Sequence, residues 1–291
     1  MNQTATLAVV GGDIRQACLA GLLCADGHTV RTFALERHPV DGCAAAGDPR
    51  SCFADVHAVI LPMPVCHSGT LLNAPLSTAT HTLADVLDAI PPGTLTLAGS
   101  VPFWVHARAV QNNLRMIDYL TRDELAIRNA LPTCEGALQL AMEQTDHTIA
   151  HARCLVIGCG RIGAMLARKL QALGARVTVS ARTPRDFARI EAAGMEHLDT
   201  RHLAGHLSGF SLIFNTVPAP ILSTSELNEL INSLVIDLAS APGGIAPDVS
   251  LPAGCRVLHA LSLPGKVAPR SAAHAIYQTI CTIFQEEGML S

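Results

Sequence analysis

The sequence has few of the features that mark nucleic-acid-binding or membrane proteins. Aromatic residues make up 3% of its 291 residues, which leaves little for surfaces that stack on bases. Charged residues make up 15%, and the net charge of −4 offers no electrostatic reason to bind a polyanion. No apolar run reaches the roughly 18 residues of a membrane span, and the N-terminal residues lack the basic and apolar segments of a signal peptide. We therefore expect a cytoplasmic protein with no nucleic-acid and no membrane partner.

Metal and disulfide frameworks are not indicated either. The ten cysteines are spread singly and form no CxxC, and the thirteen histidines form no HExxH or similar spacing. Several cysteines lie in apolar segments, where a thiol behaves as a small hydrophobic group. The sequence therefore predicts no metal site.

The chain does contain a large apolar fraction, 49%, which is typical of buried parallel strands. Its length suggests two domains, each able to bury its own core. Strand and helix patterns alternate, as they do in parallel sheets with crossover helices. We predict an α/β protein with two Rossmann-like, doubly wound parallel-sheet domains and an interdomain cleft. The first domain is assigned to residues 1–130 and the second to residues 131–271, with a C-terminal helix at 272–287 packing back on the first.

A glycine-rich turn at 158–163 is the most informative stretch of the sequence. An apolar strand, Cys154–Ile157, precedes it; an amphipathic helix, Ala164–Leu173, and a second strand, Val177–Val179, follow it. This is the context that a dinucleotide-binding fingerprint requires, with the phosphates held at the start of the helix. The residues expected to bind the pyrophosphate are Gly158, Gly160, Arg161, Ile162 and Gly163.

The end of the second strand lacks the acidic residue that binds the ribose hydroxyls of NAD. In its place stand Ser180, Ala181, Arg182 and Thr183. A hydroxyl followed by a guanidinium suits a 2′-phosphate, because arginine forms bidentate, charge-assisted bonds to phosphate. We therefore predict NADP as the cofactor in preference to NAD. The alternative is that Arg182 is an ordinary solvated cation.

Three later segments end strands at the same edge of the predicted second sheet. The strands are assigned to Leu212–Thr216, Val235–Leu238 and Val257–Ala260, and a loop follows the last of them at 263–269. Ligands of open α/β sheets bind at the carboxyl ends of the strands. Further cofactor contacts are therefore expected from Asn215, Thr216, Val217, Pro218, Leu238, Ala239, Ser240, Leu263 and Pro264.

The first domain opens with a degenerate version of the same unit. Strands are predicted at Thr6–Val10, His28–Ala34, Ala58–Leu61, Leu95–Ala98 and Arg115–Asp118, with helices at Ile14–Ala25 and Thr82–Ala89. Gln16 stands where the third glycine of a fingerprint would pack, so we do not expect a complete dinucleotide site here. Asp13 and Arg15 follow the first strand; their alternative roles are an N-cap and a surface ion pair.

The segment between the domains, 121–148, reads as a short helix, a stop at Pro132 and a longer helix at Glu135–Gln144. Thr133 is a plausible N-cap, and a carboxylate in the first turn favours the helix dipole. The functional alternative is that Thr133 and Glu135 face the cleft. The final helix, Ala272–Glu286, should bury a face formed by Ala273, Ile276, Ile280 and Phe284.

Six motifs together resemble the family of the A subunit of dipicolinate synthase over nearly the whole chain. They are GGDIRQ (11–16), PTCEGALQLAMEQTDHTI (132–149), IGCGRIGAMLA (157–167), NTVPAPIL (215–222), IDLASAPGG (236–244) and LPGKVAPRSAAH (263–274). The resemblance implies two Rossmann-like domains and a nicotinamide cofactor in the second. It also implies a smaller, flavoprotein-like partner, the B subunit of dipicolinate synthase, and the formation of pyridine-2,6-dicarboxylate in endospore-forming bacteria. Residues 35–55 contain none of these motifs.

The implied substrate is a small dicarboxylate, a dihydro- or hydroxytetrahydrodipicolinate, whose oxidation needs a hydride acceptor and a base. The residues nominated for binding it are Arg15, Gln16, Ser100, Thr133 and Arg270. The residues nominated for catalysis are Glu135, Asp237 and Lys266.

Two other functions remain open at this point. One is a dehydrogenase of another small substrate, such as a 2-hydroxyacid or a methylene-folate. A hydroxyacid dehydrogenase needs a histidine base with a partner, and His259 has no evident partner in the sequence. A folate enzyme would typically have a catalytic lysine in its first domain, which here contains no lysine. The other is a non-catalytic NADP-binding protein that regulates its catalytic partner. A homo- or hetero-oligomer is expected in either case.

Overall fold

A computed structural model of the chain describes residues 4–66, 69–247 and 249–289. The chain divides into two compact units, Met1–Asn129 with Ala268–Ser291, and Ala130–Val267. Each unit holds a six-stranded parallel sheet.

The N-terminal unit is built on strands that alternate with helices. Its strands are β1 (Thr6–Val10), β2 (Thr29–Phe33), β3 (Ala44–Ala45), β4 (Ala58–Ile60), β5 (Leu95–Ala98) and β6 (Arg115–Asp118). The helices between them are α1 (Ile14–Ala25), α2 (Pro49–Phe53), α3 (Leu83–Ala89) and α4 (Phe103–Gln111). The strands lie in the order β3-β2-β1-β4-β5-β6.

Both faces of this sheet are buried, as parallel sheets require. Leu7 and Val9 of β1 pack into one core cluster, and Ala8 and Val10 pack into another on the opposite face. The strand therefore reads as a continuous apolar run instead of an alternating pattern.

Helix α5 (Asp123–Gln144) is continuous, so the predicted stop at Pro132 is wrong. Proline inside a helix removes one backbone hydrogen bond. Burial of Cys134, Ala137 and Ala141 in the core of the second unit offsets this cost. Thr133 consequently lies in mid-helix and is not an N-cap.

The second unit repeats the architecture of the first. Its strands are β7 (Arg153–Ile157), β8 (Arg176–Ala181), β9 (Glu196–Asp199), β10 (Leu212–Asn215), β11 (Leu234–Asp237) and β12 (Arg256–His259). Its helices after α5 are α6 (Arg161–Ala172), α7 (Pro184–Ala192), α8 (Thr224–Leu227) and α9 (Leu263–Val267). The strands lie in the order β12-β11-β10-β7-β8-β9.

The segment predicted as a loop at 263–269 is mostly helical. It contains α9, and the last helix, α10 (Pro269–Glu286), begins three residues earlier than predicted, with proline in its first turn. Side chains of α10 share a core cluster with Leu19 and Leu23 of α1. The predicted buried face is confirmed: Ala273, Ile276, Ile280 and Phe284 are all buried.

Both sheets have the 3-2-1-4-5-6 strand order of dinucleotide-binding folds, counted within each unit. This confirms the prediction of two Rossmann-like, doubly wound parallel sheets. Within the residues that the structure describes, no helix is both long and apolar enough to cross a bilayer.

Candidate nucleotide-binding and catalytic site

The glycine turn between β7 and α6 is closely packed at two of its glycines. Gly158 has φ +99°, and a Cβ there would lie 2.5 Å from Thr216 Oγ1. A Cβ at Gly163 would lie 2.0 Å from the Gly158 carbonyl oxygen. Glycine is therefore required at both positions for the helix to approach the strand.

Gly160, in contrast, faces open space. A Cβ at this position would meet no described atom within 4 Å, and the residue caps α6 without any side-chain hydrogen bond. The start of α6 thus presents backbone N–H groups, and the positive end of a helix dipole, beside an open approach. Arg161 and Ile162 form the first turn of this helix. These features fit the pyrophosphate of a nicotinamide dinucleotide.

At the end of β8, the side chain of Ser180 is not exposed as the sequence interpretation requires. Ser180 lies inside the strand with no exposed surface, and its hydroxyl oxygen accepts a hydrogen bond from Thr200 Oγ1 at 2.9 Å. Ser180 therefore cannot meet a 2′-phosphate by its side chain. Ala181 is buried as well, whereas Arg182 and Thr183 are exposed.

Two carboxylates near this strand end are already engaged. Thr183 caps α7 and donates its hydroxyl hydrogen bond to Asp186 at 2.7 Å. Asp199, at the end of β9, accepts hydrogen bonds from the backbone and the guanidinium of Arg201, which hold the pKa of that carboxyl well below its usual range. Among the ion pairs of the described residues, Asp186 pairs with Arg189, Asp199 pairs with Arg201 and His202, and neither pairs with Arg182.

The last residues of β10, β11 and β12 form a polar row across the sheet edge. Asn215 is paired in register with Asp237, and Asp237 with His259. Asn215 Nδ2 donates to Asp237 Oδ1 at 2.8 Å, and His259 Nδ1 lies 3.6 Å from Asp237 Oδ2. The sequence analysis missed Asp237 as a partner of His259. The signal for it is that Asn215, Asp237 and His259 each end one of three neighbouring parallel strands.

Asp237 is only 1% exposed, and its carboxylate accepts two further bonds from the backbone N–H groups of Ala239 and Gly244, at 3.2 and 2.9 Å. This network fixes the turn after β11. Because the carboxylate is buried and accepts three hydrogen bonds, the geometry does not support the nomination of Asp237 as the base. The geometry instead favours a role for Asp237 in positioning the groups around it.

The other predicted cofactor residues lie along the same edge. Thr216 bonds by its hydroxyl to the Ile157 carbonyl at 2.9 Å, and Val217 N–H donates to Asn215 Oδ1 at 3.2 Å. The side chains of Leu238, Ala239 and Leu263 are buried, Pro264 is partly buried, and Pro218 and Ser240 are exposed.

The remaining catalytic nominees are on helices of the second unit. Glu135 is exposed on α5 and accepts a hydrogen bond from Lys169 Nζ of α6 at 3.3 Å. Lys266 is exposed on α9. Thr133 is buried within α5.

Within the N-terminal unit, two residues nominated for substrate binding form hydrogen bonds to other groups of the protein. Arg15 is buried and bonds both carboxylate oxygens of Asp13 and, through Nη2 at 2.8 Å, the carbonyl oxygen of Met63. Gln16 is buried and donates to the Ile60 carbonyl at 3.0 Å, which ties α1 to β4. The Gln16 amide is thus occupied, and its nomination as a substrate ligand is not supported by the geometry.

Ser100 follows β5 in a left-handed conformation, φ +56°, that non-glycine residues rarely adopt. Asp118, at the end of β6, stabilises it by accepting hydrogen bonds from Ser100 N at 3.1 Å and Val101 N at 2.8 Å. The Ser100 side chain is exposed at the carboxyl edge of the sheet. Backbone strain of this kind, at the carboxyl edge of a parallel sheet, marks a position of functional interest.

Arg270 lies in the first turn of α10 and is exposed. It is close enough to Cys18 of α1 for its charge to act on that thiol: burial raises the pKa of Cys18, and the guanidinium opposes the rise.

The cysteines behave as packing residues. All ten are free, and burial raises the pKa of Cys134 and of Cys154 to about 12. Cys159 in the glycine turn also has its pKa raised by burial. In the described part of the chain, no three His, Cys, Asp or Glu side chains converge as a metal site would need.

Comparison with known proteins decides the family. The chain is 32% identical to the A subunit of dipicolinate synthase from Bacillus subtilis (strain 168), over 97% of this chain and 98% of that protein. The chain belongs to the family of the dipicolinate synthase A subunit. The N-terminal domain of that family matches residues 6–120, and a family of NAD(P)-binding domains matches residues 147–238.

Solved structures of the family share the fold over nearly the whole chain. The dipicolinate synthase A subunit from Bacillus halodurans superposes with a TM-score of 0.89 at 28% identity, covering 96% of this chain and 97% of that one. The Bacillus subtilis structure gives 0.88 at 30% identity, covering 98% and 97%. Together with the NAD(P)-binding match, these findings support an oxidoreductase with a nicotinamide cofactor.

Proposed function

We propose that this chain oxidises a dihydrodipicolinate, derived from 4-hydroxytetrahydrodipicolinate, to pyridine-2,6-dicarboxylate with NADP⁺. The observation that carries the proposal is the open start of α6 beside the exposed Arg182, in a chain of this family. An anion-binding helix start suits the pyrophosphate, and a guanidinium suits a 2′-phosphate.

The bound nicotinamide supplies a hydride acceptor, and the protein supplies binding and orientation. Gly158, Gly160 and Gly163 would accommodate the pyrophosphate. The segments 215–218 and 238–240, with Leu263 and Pro264, would border the nicotinamide half.

Substrate recognition would depend on cations and hydroxyls that can meet two carboxylates. Lys266 and Arg270 are exposed cations, and Ser100 offers an exposed hydroxyl. Arg15 would act with less freedom, because Asp13 already neutralises much of its charge. Thr133 is buried, which makes it the weakest member of this set.

The family supports a proposal for the wider setting. We propose that residues 1–130 form the substrate or partner domain and residues 131–271 the NADP domain. The chain would act in the cytoplasm during endospore formation, in an oligomer with the flavoprotein-like B subunit of dipicolinate synthase.

The test is formation of pyridine-2,6-dicarboxylate from fresh precursor, followed by ultraviolet absorbance, with NADP⁺ or NAD⁺ and with or without the flavoprotein-like partner. The proposal expects product in mixtures that contain this protein, formed faster with NADP⁺. Tight nucleotide binding with no product in any mixture would contradict it.

A non-catalytic NADP-binding protein that regulates its partner is the second candidate. One observation favours it: two of the three residues nominated for catalysis already interact with other groups of the protein. Asp237 is buried and hydrogen-bonded, and Glu135 pairs with Lys169. For that candidate, Glu135→Gln and Lys266→Ala would leave the assembled complex fully active. Activity of the isolated chain would exclude it.

A further inference from the structure

The polar row at the ends of β10, β11 and β12 has the form of an oriented acid–base group. A buried carboxylate, Asp237, stands between a buried amide and an imidazole whose side chain is 65% exposed. The row lies beside the segments 215–218 and 238–240, which the proposed function assigns to the nicotinamide half. We propose that His259 is the proton acceptor of the oxidation and that Asp237 is its positioning residue. This proposal rests on the proposed function.

Asp237 is well fixed for that role. Asn215 Nδ2 and the N–H groups of Ala239 and Gly244 hold its two oxygens, so the carboxylate cannot turn away from β12. His259 Nδ1 lies 3.6 Å from Oδ2, longer than a hydrogen bond, and contacts of this kind often tighten only when substrate is bound. A proton on Nδ1 directed at Asp237 leaves Nε2 as the free base.

The chemistry needs such a group. Aromatisation removes two hydrogens from the dihydropyridine ring, and a bound oxidised nicotinamide would accept one of them as hydride. The other leaves as a proton: the bond to the ring breaks, its electron pair completes the aromatic system, and His259 Nε2 takes the proton and passes it to water.

Asp237 on β11 is the one carboxylate within 4 Å of the His259 ring nitrogens among the described residues. The cations of the adjoining elements are Arg256, which bonds Gln144 at the other end of β12, and Lys266 on α9. The base must be unprotonated to act, so kcat should decline on the acid side of its pH profile.

The kinetic test uses His259→Gln, with His202→Asn as the matched control. His202 is also exposed, and its Nδ1 lies 3.7 Å from a carboxylate oxygen of Asp199. Asp199 ends β9, which is the edge strand opposite β12 in the sheet. We expect His259→Gln to lower kcat by about 100-fold or more, with KM little changed and the acid-side decline of kcat absent. His202→Asn should retain full activity. A His259→Gln protein with normal kcat, or with only KM raised, would overturn the assignment.

A second measurement does not depend on turnover. Diethyl pyrocarbonate acylates unprotonated imidazole, and mass spectrometry locates the modified histidines. NADP⁺ with dipicolinate should protect His259 and leave His202 reactive; equal labelling of His259 with and without them would overturn the proposal. If the unmodified protein forms no dipicolinate, both proposals fail, whereas an active protein with a fully active His259→Gln overturns the base alone.

Discussion

At the scale of single residues, the proposed preference for NADP over NAD depends on Arg182. The hydroxyl that accompanied it in the sequence interpretation, Ser180, is buried, and the neighbouring carboxylates of Asp186 and Asp199 are engaged elsewhere. One exposed guanidinium therefore carries most of the expected preference for a 2′-phosphate.

Replacing Arg182 with alanine should weaken NADPH binding by about 10- to 100-fold, the value of one or two charge-assisted hydrogen bonds. NADH binding should change little, because NADH has no 2′-phosphate. Titration of nicotinamide fluorescence measures both. Arg201→Ala is the matched control, because Asp199 already neutralises Arg201. Equal losses for NADPH and NADH in Arg182→Ala would refute the predicted specificity.

Asp118 gives a second prediction, in the N-terminal unit. Asp118→Ala removes the hydrogen bonds that hold Ser100 in its left-handed conformation. We expect KM for the dicarboxylate to rise several-fold while NADPH affinity is unchanged, since the substitution lies outside the nucleotide unit. Steady-state kinetics with parallel nucleotide titration checks this, with the exposed Asp41→Ala as control. An unaltered KM would remove Ser100 from the substrate site.

The residue scale is also where sequence reasoning fell short. The backbone hydrogen bonds to Asp237 could not be foreseen, because they come from N–H groups two and seven residues further along the chain, at Ala239 and Gly244. Those bonds depend on strand register and on the course of a turn. Both are fixed by tertiary packing, which residue types alone do not specify.

At the scale of elements, the glycines of the turn between β7 and α6 have two different roles. Gly163 allows close packing of the helix, and Gly160 leaves space for a ligand. Gly163→Ala would force a Cβ to within 2.0 Å of the Gly158 carbonyl, whereas Gly160→Ala meets nothing described within 4 Å, at a φ of −80° that alanine adopts readily. The two substitutions are therefore a matched pair.

We expect Gly163→Ala to lower both the melting temperature and nucleotide affinity. Gly160→Ala should keep the melting temperature of the unsubstituted protein and lose NADPH affinity, because its methyl group occupies the space through which the pyrophosphate approaches. Differential scanning calorimetry and fluorescence titration distinguish these outcomes. Full NADPH binding by Gly160→Ala would show that the nucleotide does not use this helix start.

Most elements could be predicted because their sequence signals are local. Helix α1 and strands β1, β5 and β6 have the predicted bounds, since apolar runs bounded by glycine or capping residues specify them. Helix α5 was predicted wrongly at Pro132, because buried contacts outweigh the intrinsic preference of proline. Helix α9 was missed because its proline and glycine favour a loop, while Leu263 is held in the core.

At the scale of the whole molecule, the chain returns at its end to the unit in which it began. Phe284 of α10 is fully buried in the core cluster that contains Leu19 and Leu23. Phe284→Ala should lower the free energy of unfolding by about 3–5 kcal/mol. Thermal unfolding measures this, with the exposed Gln285→Ala as control. An effect as small as that of the control would mean that α10 contributes little to this core.

The measurement that tests the central claim most directly records two absorbances in one reaction, those of dipicolinate and of reduced nicotinamide. With fresh dihydrodipicolinate, NADP⁺ and the assembled protein, the account predicts that both products appear together in equal amounts, and that neither appears at that rate without protein. Dipicolinate formed at the full rate with no reduction of the nicotinamide would contradict the account.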